Sequence, residues 1–525
     1  MKRNQIFYIV IFSLGFLVTG LYSENRFSVL SQIKALMISE NSFEEDPEFS
    51  KQFDVDSLRL FVSAENKQNI IAQQKKALQG NKDFSYVEAI CLIDNDSIPI
   101  KLKLKGDRSI HFNDTSKLSF RIKVLNNKAI YNLKKFSLHH PIARNYIYEW
   151  IFHQALGFID LINLKYKFLN VELNGEKLGL YAFEEHFEKS LIENKKLPIG
   201  PILRFNEDYS WHNLHTTFVE PYQSKFWLSN YPDITNDAIS KMEKWRRSKL
   251  ATSEVFDVKS LAKYFAITDV LWLHHGQAWK SIRFYYNSET ELLYPIGYDG
   301  HYNEFFINNK IAPQLSSTLP IMQVDKKFWV EYYNDWYRLL FNNPILFDEY
   351  FFEMYIKYLK EYSSKKWLDQ FLKSIKQGLN ENLNVIYSQE DAFEDKMFHY
   401  GDNKFLFSEK SIYNRADQVN KILNKENSIH AYPIFNDSGD FKIEVENVGF
   451  LPIKVDSILI RINNGLQTLY FNKIILPHQS NSNPVFDIIL IDNSNVSEDK
   501  NVSIYFHSIG ENNPSVVEMF PWKRL

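Results

Sequence analysis

A single cysteine, Cys91, stands among 525 residues. One thiol excludes an intrachain disulfide and a thiolate metal cluster. Charge of one sign is lacking as well. Sixty-one Lys and Arg against 64 Asp and Glu leave a net charge of −3, and with it no electrostatic footprint for nucleic acid. The one long apolar run, residues 6–22, is slightly short of the roughly 20 residues needed to cross a bilayer. It follows Lys2 and Arg3, is broken by Ser13, Gly15, Thr19 and Gly20, and has no Ala-x-Ala cleavage site behind it. Residues 1–23 fit a signal peptide or a signal anchor, the retained anchor being preferred. Either one puts the bulk of the chain outside the cytoplasm, membrane-anchored or secreted, with the membrane as a partner through this segment. What is present is globular in character: 45% hydrophobic, 24% charged and 16% aromatic, on a chain long enough for two or three domains.

Residues 24–83 read as a linker and leading segment, polar and acidic at first, with a strand near 56–62 and helical composition over 66–79. From Phe84 the pattern becomes period two. YVEAICLID, IPIKLKLKG and LSFRIKV alternate as three antiparallel strands of one sheet. A helix follows over 144–156, with Ile147, Trp150, Ile151 and Leu156 on one face and Gly157 stopping it. Two more strands, 167–173 and 178–183, flank Asn174–Gly175, a strong hairpin signal because both central residues take positive φ. Residues 236–408 are helical and aromatic, interrupted by one hairpin with strands at 282–286 and 292–298. After 429, short strands with turn residues about ten apart suggest a β-sandwich. The fold class expected is α+β. Aromatic richness beside a sandwich also suits a carbohydrate-active enzyme, but that chemistry needs two carboxylates across a cleft, and no pair is singled out.

Polar residues gather in two stretches, 101–208 and 274–305. A sheet with a helix among its strands leads through a hairpin to the acidic corner Glu184–Glu185. A helical region follows, and its inserted hairpin ends in Tyr298-Asp299-Gly300. That is the order of parts in a protein-kinase-like fold. Phosphoryl transfer is mostly positioning and charge neutralisation. It needs a cation on the phosphates, a carboxylate to orient that cation, and another to hold a divalent ion, which prefers oxygen ligands.

Gly106 with Asp107 and Arg108, Lys117 with Ser119, Phe120 and Arg121, Arg144 with Asn145, Asn174–Gly175, Gly179-Leu180-Tyr181 with Glu185, and Pro295 with Asp299 resemble the spore-coat-protein-H-like (CotH) kinase family. The resemblance spans about 87–305, less than half of the chain. It implies a protein-kinase-like two-lobed domain, with a small β-rich N-lobe at 84–206 and a helical C-lobe at 207–428 containing the hairpin 282–298. An all-β sandwich at 429–525 follows. It also implies ATP, Mg²⁺ or Mn²⁺, and a protein substrate. Gly106 and Arg108 would line the nucleotide, and Lys117 or Arg121, four apart on a strand and so on one face, would hold its phosphates. Glu149 or Glu185 would serve as the site's acid. Asp299 would ligate the metal, with Asn303 and Glu304 as weaker ligands. Each has a plainer reading: a solvated strand face for the cations, a surface ion pair for the glutamates, a turn for Asp-Gly.

One part departs from the kinase pattern. No Asp or Asn lies between His274 and Tyr286, and Ser281 falls about where the Asn belongs. Asp269, the nearest upstream acid, sits in a helix. His275 could take the proton instead. Two functions stay open: an exported or membrane-anchored kinase acting on a cell-surface or envelope protein, and a catalytically degenerate kinase-like module that binds or builds the envelope.

Overall fold

The computed structural model describes residues 55–93, 96–113, 117–206, 217–300, 340, 345–388, 407–424, 429–435, 441–448, 451–462, 465–475, 487–491, 502–511 and 513–522. The architecture is α+β. Its first part is a closed seven-stranded barrel built from β1 (Ser57–Phe61), β2 (Val87–Ile93), β3 (Asp96–Leu104), β4 (Phe120–Val124), β5 (Lys135–His139), β6 (Tyr166–Leu173) and β7 (Glu176–Glu185). The strand order is β1-β2-β3-β4-β5-β7-β6, and β6 closes the ring by pairing parallel with β1. Strand alternation explains the interior. Leu58 and Leu60 of β1, Ile98, Ile100, Leu102 and Leu104 of β3, and Phe120 and Ile122 of β4 all turn inward and are buried. Cys91 is also wholly buried, and burial pushes its thiol up to about 12, so it is chemically quiet.

The hairpin between β6 and β7 has the expected geometry, with Asn174 at φ +52° and Gly175 at φ +85°. The Asn174 side chain does more than turn. It accepts from Val62 N at 2.8 Å and donates to Val62 O at 2.9 Å, locking the hairpin tip to the end of β1. The barrel corrects two expectations. Residues 57–61 and helix α1 (Ala64–Leu78) belong to it, not to a leading segment. Residues 135–139 form β5 between β4 and β7, a strand absent from the sequence reading.

Helix α2 (Tyr148–Phe158) lies between β5 and β6 in the chain, but its core is the helical one. Ile147, Ile151, Phe152, Ala155 and Leu156 are buried with residues of the later helices. That second part contains α3 (Lys189–Asn194), β8 (Ile202–Phe205), β9 (Val219–Pro221), α4 (Ser224–Asn230), α5 (Pro232–Arg246), α6 (Thr252–Val255), α7 (Val258–Val270), β10 (Arg283–Asn287), β11 (Leu292–Ile296), α8 (Glu349–Tyr362), α9 (Lys365–Tyr387) and α10 (Glu409–Leu423). The strands form one sheet in the order β11-β10-β8-β9. Asp257, Asp348 and Ser364 cap α7, α8 and α9 by accepting backbone N–H groups of the first turn. Helix α7 is buried nearly all round, as expected of a central core helix.

The third part holds β12 (Ile429–Phe435), β13 (Phe441–Asn447), β14 (Ile453–Ile462), β15 (Gly465–Ile475), β16 (Asp487–Ile491), β17 (Val502–Ser508) and β18 (Ser515–Glu518). Sheets β12-β13-β16 and β15-β14-β17-β18 share one apolar core, as a β-sandwich does. It docks on α8 through Lys454–Glu349 at 2.7 Å and Lys360–Glu511 at 2.8 Å.

The expected membrane partner is corrected: among the described residues no helix is long and apolar enough to cross a membrane. Residues 1–23, the expected leader, lie outside the described residues, as do 301–339 within the stretch read as helical.

Candidate functional site

A cleft of about 400 Å³ opens between the barrel end and the β8–β11 sheet. Its construction begins at β3. The inward residues end at Leu104, and the chain leaves the strand with Lys105 N bonded to Ser119 O at 2.9 Å. Gly106 then takes φ +112°, a conformation that L side chains rarely adopt. A Cβ on Gly106 would lie 2.1 Å from His111 Cδ2, so the turn is packed as well as strained. This turn leaves the Lys105 ammonium buried against Glu184, at 2.7 Å from Oε2.

Glu184 stands near the end of β7, opposite Ser137 of β5 and Tyr166 of β6. His139 Nε2 and Arg144 Nε lie 3.7 Å and 3.8 Å from its other oxygen. Burial alone would raise the Glu184 carboxyl, but Lys105, His139 and Arg144 outweigh it and hold it well below the usual range. Burial pulls Lys105 down to about 8, with Glu184 opposing. Both groups are therefore charged at neutral pH, and the pair is an ion pair, not a shared proton.

Asp299 closes the far side. It follows β11 and has φ +61°. Arg144 Nη1 lies 2.8 Å from Oδ1. Oδ2 accepts from Ser281 Oγ at 3.1 Å and lies 3.1 Å from His275 Nδ1. The Asp299 N–H donates to Glu149 Oε1 at 2.9 Å. Gly300 follows because a Cβ there would come within 2.1 Å of Phe152 Cδ1. The Asp-Gly pair is thus held by α2 from below, through both Glu149 and Phe152.

The structure sorts the expected site residues. Gly106, Arg108, Arg121, Glu185 and Asp299 line the cleft. Lys117 does not. It precedes β4, so it shares no strand face with Arg121, and its ammonium donates to Leu178 O at 2.6 Å. Glu149, fully buried, engages the Asp299 backbone and lies 3.3 Å from His153, not a strand cation. Glu185 lines the cleft but takes no part in the Lys105–Glu184 pair. It accepts from Lys165 N at 2.9 Å, and burial raises its carboxyl. His275 is buried behind Asp299. Its Nδ1 also lies 3.1 Å from the Asp299 carbonyl, so two acceptors fix the proton there. Burial lowers its basicity. It steadies Asp299 and does not line the cleft. Asn303 and Glu304 lie outside the described residues.

The residues that sequence reading passed over for the site are Lys105, Glu184 and Arg144. A signal existed. The run LGLYAFEE on β7 is apolar on both faces, so an acid at 184 had to be buried and had to have a cationic partner.

The chemistry of the cleft is that of an anion site. Eight Lys and Arg side chains line it against four carboxylates, and Arg and Lys donors suit phosphate oxygens. Among the described residues no group of three or more His, Cys, Asp or Glu is placed to hold a metal ion. Asp299 Oδ2 is engaged by Ser281 and His275 and Oδ1 is ion-paired with Arg144 at 2.8 Å, but Asp299 Oδ1, Glu184 Oε1 and Glu149 Oε2 are buried with no hydrogen-bond partner among the described residues.

Asp269 is excluded as a base. It is fully buried on α7, where its carboxylate accepts from Tyr355 and, at 3.0 Å, from Gln277. Burial raises it to about 7. A folded-state value above the unfolded one, 3.8, means that the folded protein holds an extra proton between the two. Stability from this group should fall as pH rises from about 4 to about 7, approaching 1.4 kcal/mol per pH unit. Urea midpoints at pH 5, 6 and 7 would show the slope, and Asp269→Asn should flatten it. An unchanged slope in the variant would reject the assignment.

No protein-family model matches the chain, and no curated protein matches it.

Proposed function

We propose that the chain is a kinase-like nucleotide-binding protein of the spore-coat-protein-H-like kind, with the barrel as N-lobe and the helical part as C-lobe. In this reading the cleft holds the polyphosphate of ATP, and the reaction is transfer of its terminal phosphoryl group to a hydroxyl of a protein substrate. One observation carries the reading: Lys105, Glu184, Arg144 and Asp299, from four separate elements, converge on one cation-lined cleft. A buried lysine just past a strand end, paired with a glutamate and facing an Asp-Gly at a hairpin end, is the set of charges that phosphate positioning requires. Export, as residues 1–23 lead one to expect, would make the substrate a cell-surface or envelope protein.

A second reading is binding without transfer. Asp269 is buried in the helical core, His275 sits behind Asp299, and Asp299 is already engaged. No carboxylate among the described residues of the catalytic-loop region is thus available as a base.

Thermal unfolding of the full-length protein with ATP tests the reading. ATP at about a hundred times its Kd should stabilise by roughly 2.7 kcal/mol. Arg121→Ala, on the cleft wall, should reduce that gain. Radiolabelled ATP with candidate envelope proteins separates the two readings, since label transfer selects the first and stabilisation alone the second. A folded sample that responds to no nucleotide would reject both.

A further inference from the structure

We infer that the β-sandwich carries a second binding site, for an uncharged polysaccharide, on an aromatic shelf made by Tyr432, Phe520 and Trp522. None of these residues lines the cleft, and the inference does not rest on the reading of the cleft given above.

The first ground is how the shelf is built. Ile429 and Ala431 of β12 point into the sandwich core, so His430 and Tyr432 between and beyond them face outward. The chain that leaves β18 is tied to both sheets. Met519 N donates to Val502 O at 2.9 Å, and Phe520 N donates to Ala431 O at 2.9 Å. Met519 itself is buried in the core. Phe520 is thereby laid on the outward side of β12, its ring 5.1 Å from Tyr432 and 5.7 Å from His430, centroid to centroid. Trp522 stacks on Phe520 in turn, at 5.0 Å with 23° between the rings. The indole is backed on one face and still 58% exposed. A flat apolar ring held in place and left open to water marks a contact surface for another molecule.

The second ground is the chemistry beside the rings. His430 stands opposite Glu446 across β12 and β13, and Tyr432 stands opposite Glu444. His430 Nδ1 lies 3.5 Å from Glu446 Oε2. A carboxylate only accepts hydrogen bonds, while a neutral imidazole donates at one nitrogen and accepts at the other. Sugar hydroxyls do both and suit such a mixed edge. The C–H groups on the face of a pyranose ring are slightly positive and meet the negative face of an indole. One shelf therefore offers both things that a sugar ring presents, an apolar face and a polar rim.

The third ground is charge. Lys442 and Glu444 alternate with the core residue Ile443 and so share the outward side of β13, and Glu446 is set against His430. Charge of neither sign accumulates there, which favours an uncharged ligand over a polyanion or a basic peptide. Binding alone is inferred, without cleavage, so the paired carboxylates of a glycosidase are not required.

The test is affinity electrophoresis of the full-length protein in native gels that contain laminarin, glycogen, hydroxyethyl cellulose or glycol chitin. At least one of these polysaccharides should retard the wild type. Trp522→Ala should weaken that binding about tenfold. Trp522→Phe, which keeps a ring, should restore part of it, and Glu446→Gln should weaken it several-fold. Urea midpoints show which variants are folded, and the Phe and Gln variants keep the result readable if Trp522→Ala is not. Retardation by none of the polysaccharides, or retardation that Trp522→Ala leaves unchanged, would overturn the inference. Lys523 and Arg524 follow Trp522 in the sequence, so phosphatidylglycerol vesicles are the control. Trp522-dependent binding to the vesicles and to no polysaccharide would overturn the inference in favour of a membrane contact.

Discussion

Lys105→Met should destabilise the barrel by about 3–5 kcal/mol, because it leaves the Glu184 carboxylate buried without its ammonium partner. Glu184 is 2% exposed and the lost contact is the 2.7 Å one. His139 and Arg144, at 3.7 Å and 3.8 Å, are too distant to replace it with a direct hydrogen bond. Lys105→Met with Glu184→Gln removes both charges together and should recover most of the loss, since replacing a whole buried pair is often close to neutral. Urea unfolding of the wild type, the two single variants and the double variant gives the coupling between the sites. Equal instability of the single Lys105 variant and the double variant would show that the buried charge is not the cause. Ligand binding behaves differently. Both variants that lack the ammonium should lose nucleotide-dependent stabilisation, so the double variant separates folding from function.

Gly106→Ala carries the second large effect. At φ +112° a side chain is strained, which costs about 1–3 kcal/mol. The added Cβ would also sit 2.1 Å from the His111 ring, and overpacking of this kind costs about a further 1–3 kcal/mol. The ring has little room to retreat. Its Nδ1 lies 3.0 Å from Ser119 Oγ, and it meets His139 edge to face at 6.3 Å. His139 in turn stands beside Glu184, so the displacement should reach the ion pair. Gly80 supplies the control. It has φ +97°, but a Cβ there meets nothing within 4 Å. Gly80→Ala should show the backbone cost alone, and Gly106→Ala both. Equal losses at the two positions, measured by urea denaturation, would remove the packing part of the account.

The elements of the barrel were mostly legible. Period two marked β2, β3 and β4, and Asn174–Gly175 marked the hairpin that joins β6 and β7. Closure was not, because the pairing of β1 with β6 is a contact between remote segments that no local pattern encodes. Nor was β5. Its sequence, KFSLH, is buried at four successive positions, so it lacks the alternation that would announce a strand. The site was legible as a neighbourhood and misread in its partners. The turn at Gly106, the acidic corner and Asp299 were all singled out. Of the expected phosphate-holding cations Arg121 lines the cleft, whereas Lys117 precedes its strand and bonds Leu178 O; Glu185 lines the cleft as well, but Lys105 and Glu184, which form its ion pair, were given no role. What meets the cleft depends on what the rest of the chain lays over it. Glu149 was singled out for a site role, but it acts on a backbone amide of Asp299, which only the packed structure reveals.

The closed ring has a consequence for how the chain is made. Asn174, which clamps the end of β1 through Val62, lies 112 residues further along. At roughly 5–20 residues per second, a ribosome needs about 6–20 s to cover that distance. Through that interval β1 can pair with β2, but its other edge and the apolar faces of Leu58 and Leu60 have no partner. The ring is therefore sealed last, from a segment made among the first of its strands, and the nascent chain passes through an open, sticky sheet before it becomes a barrel.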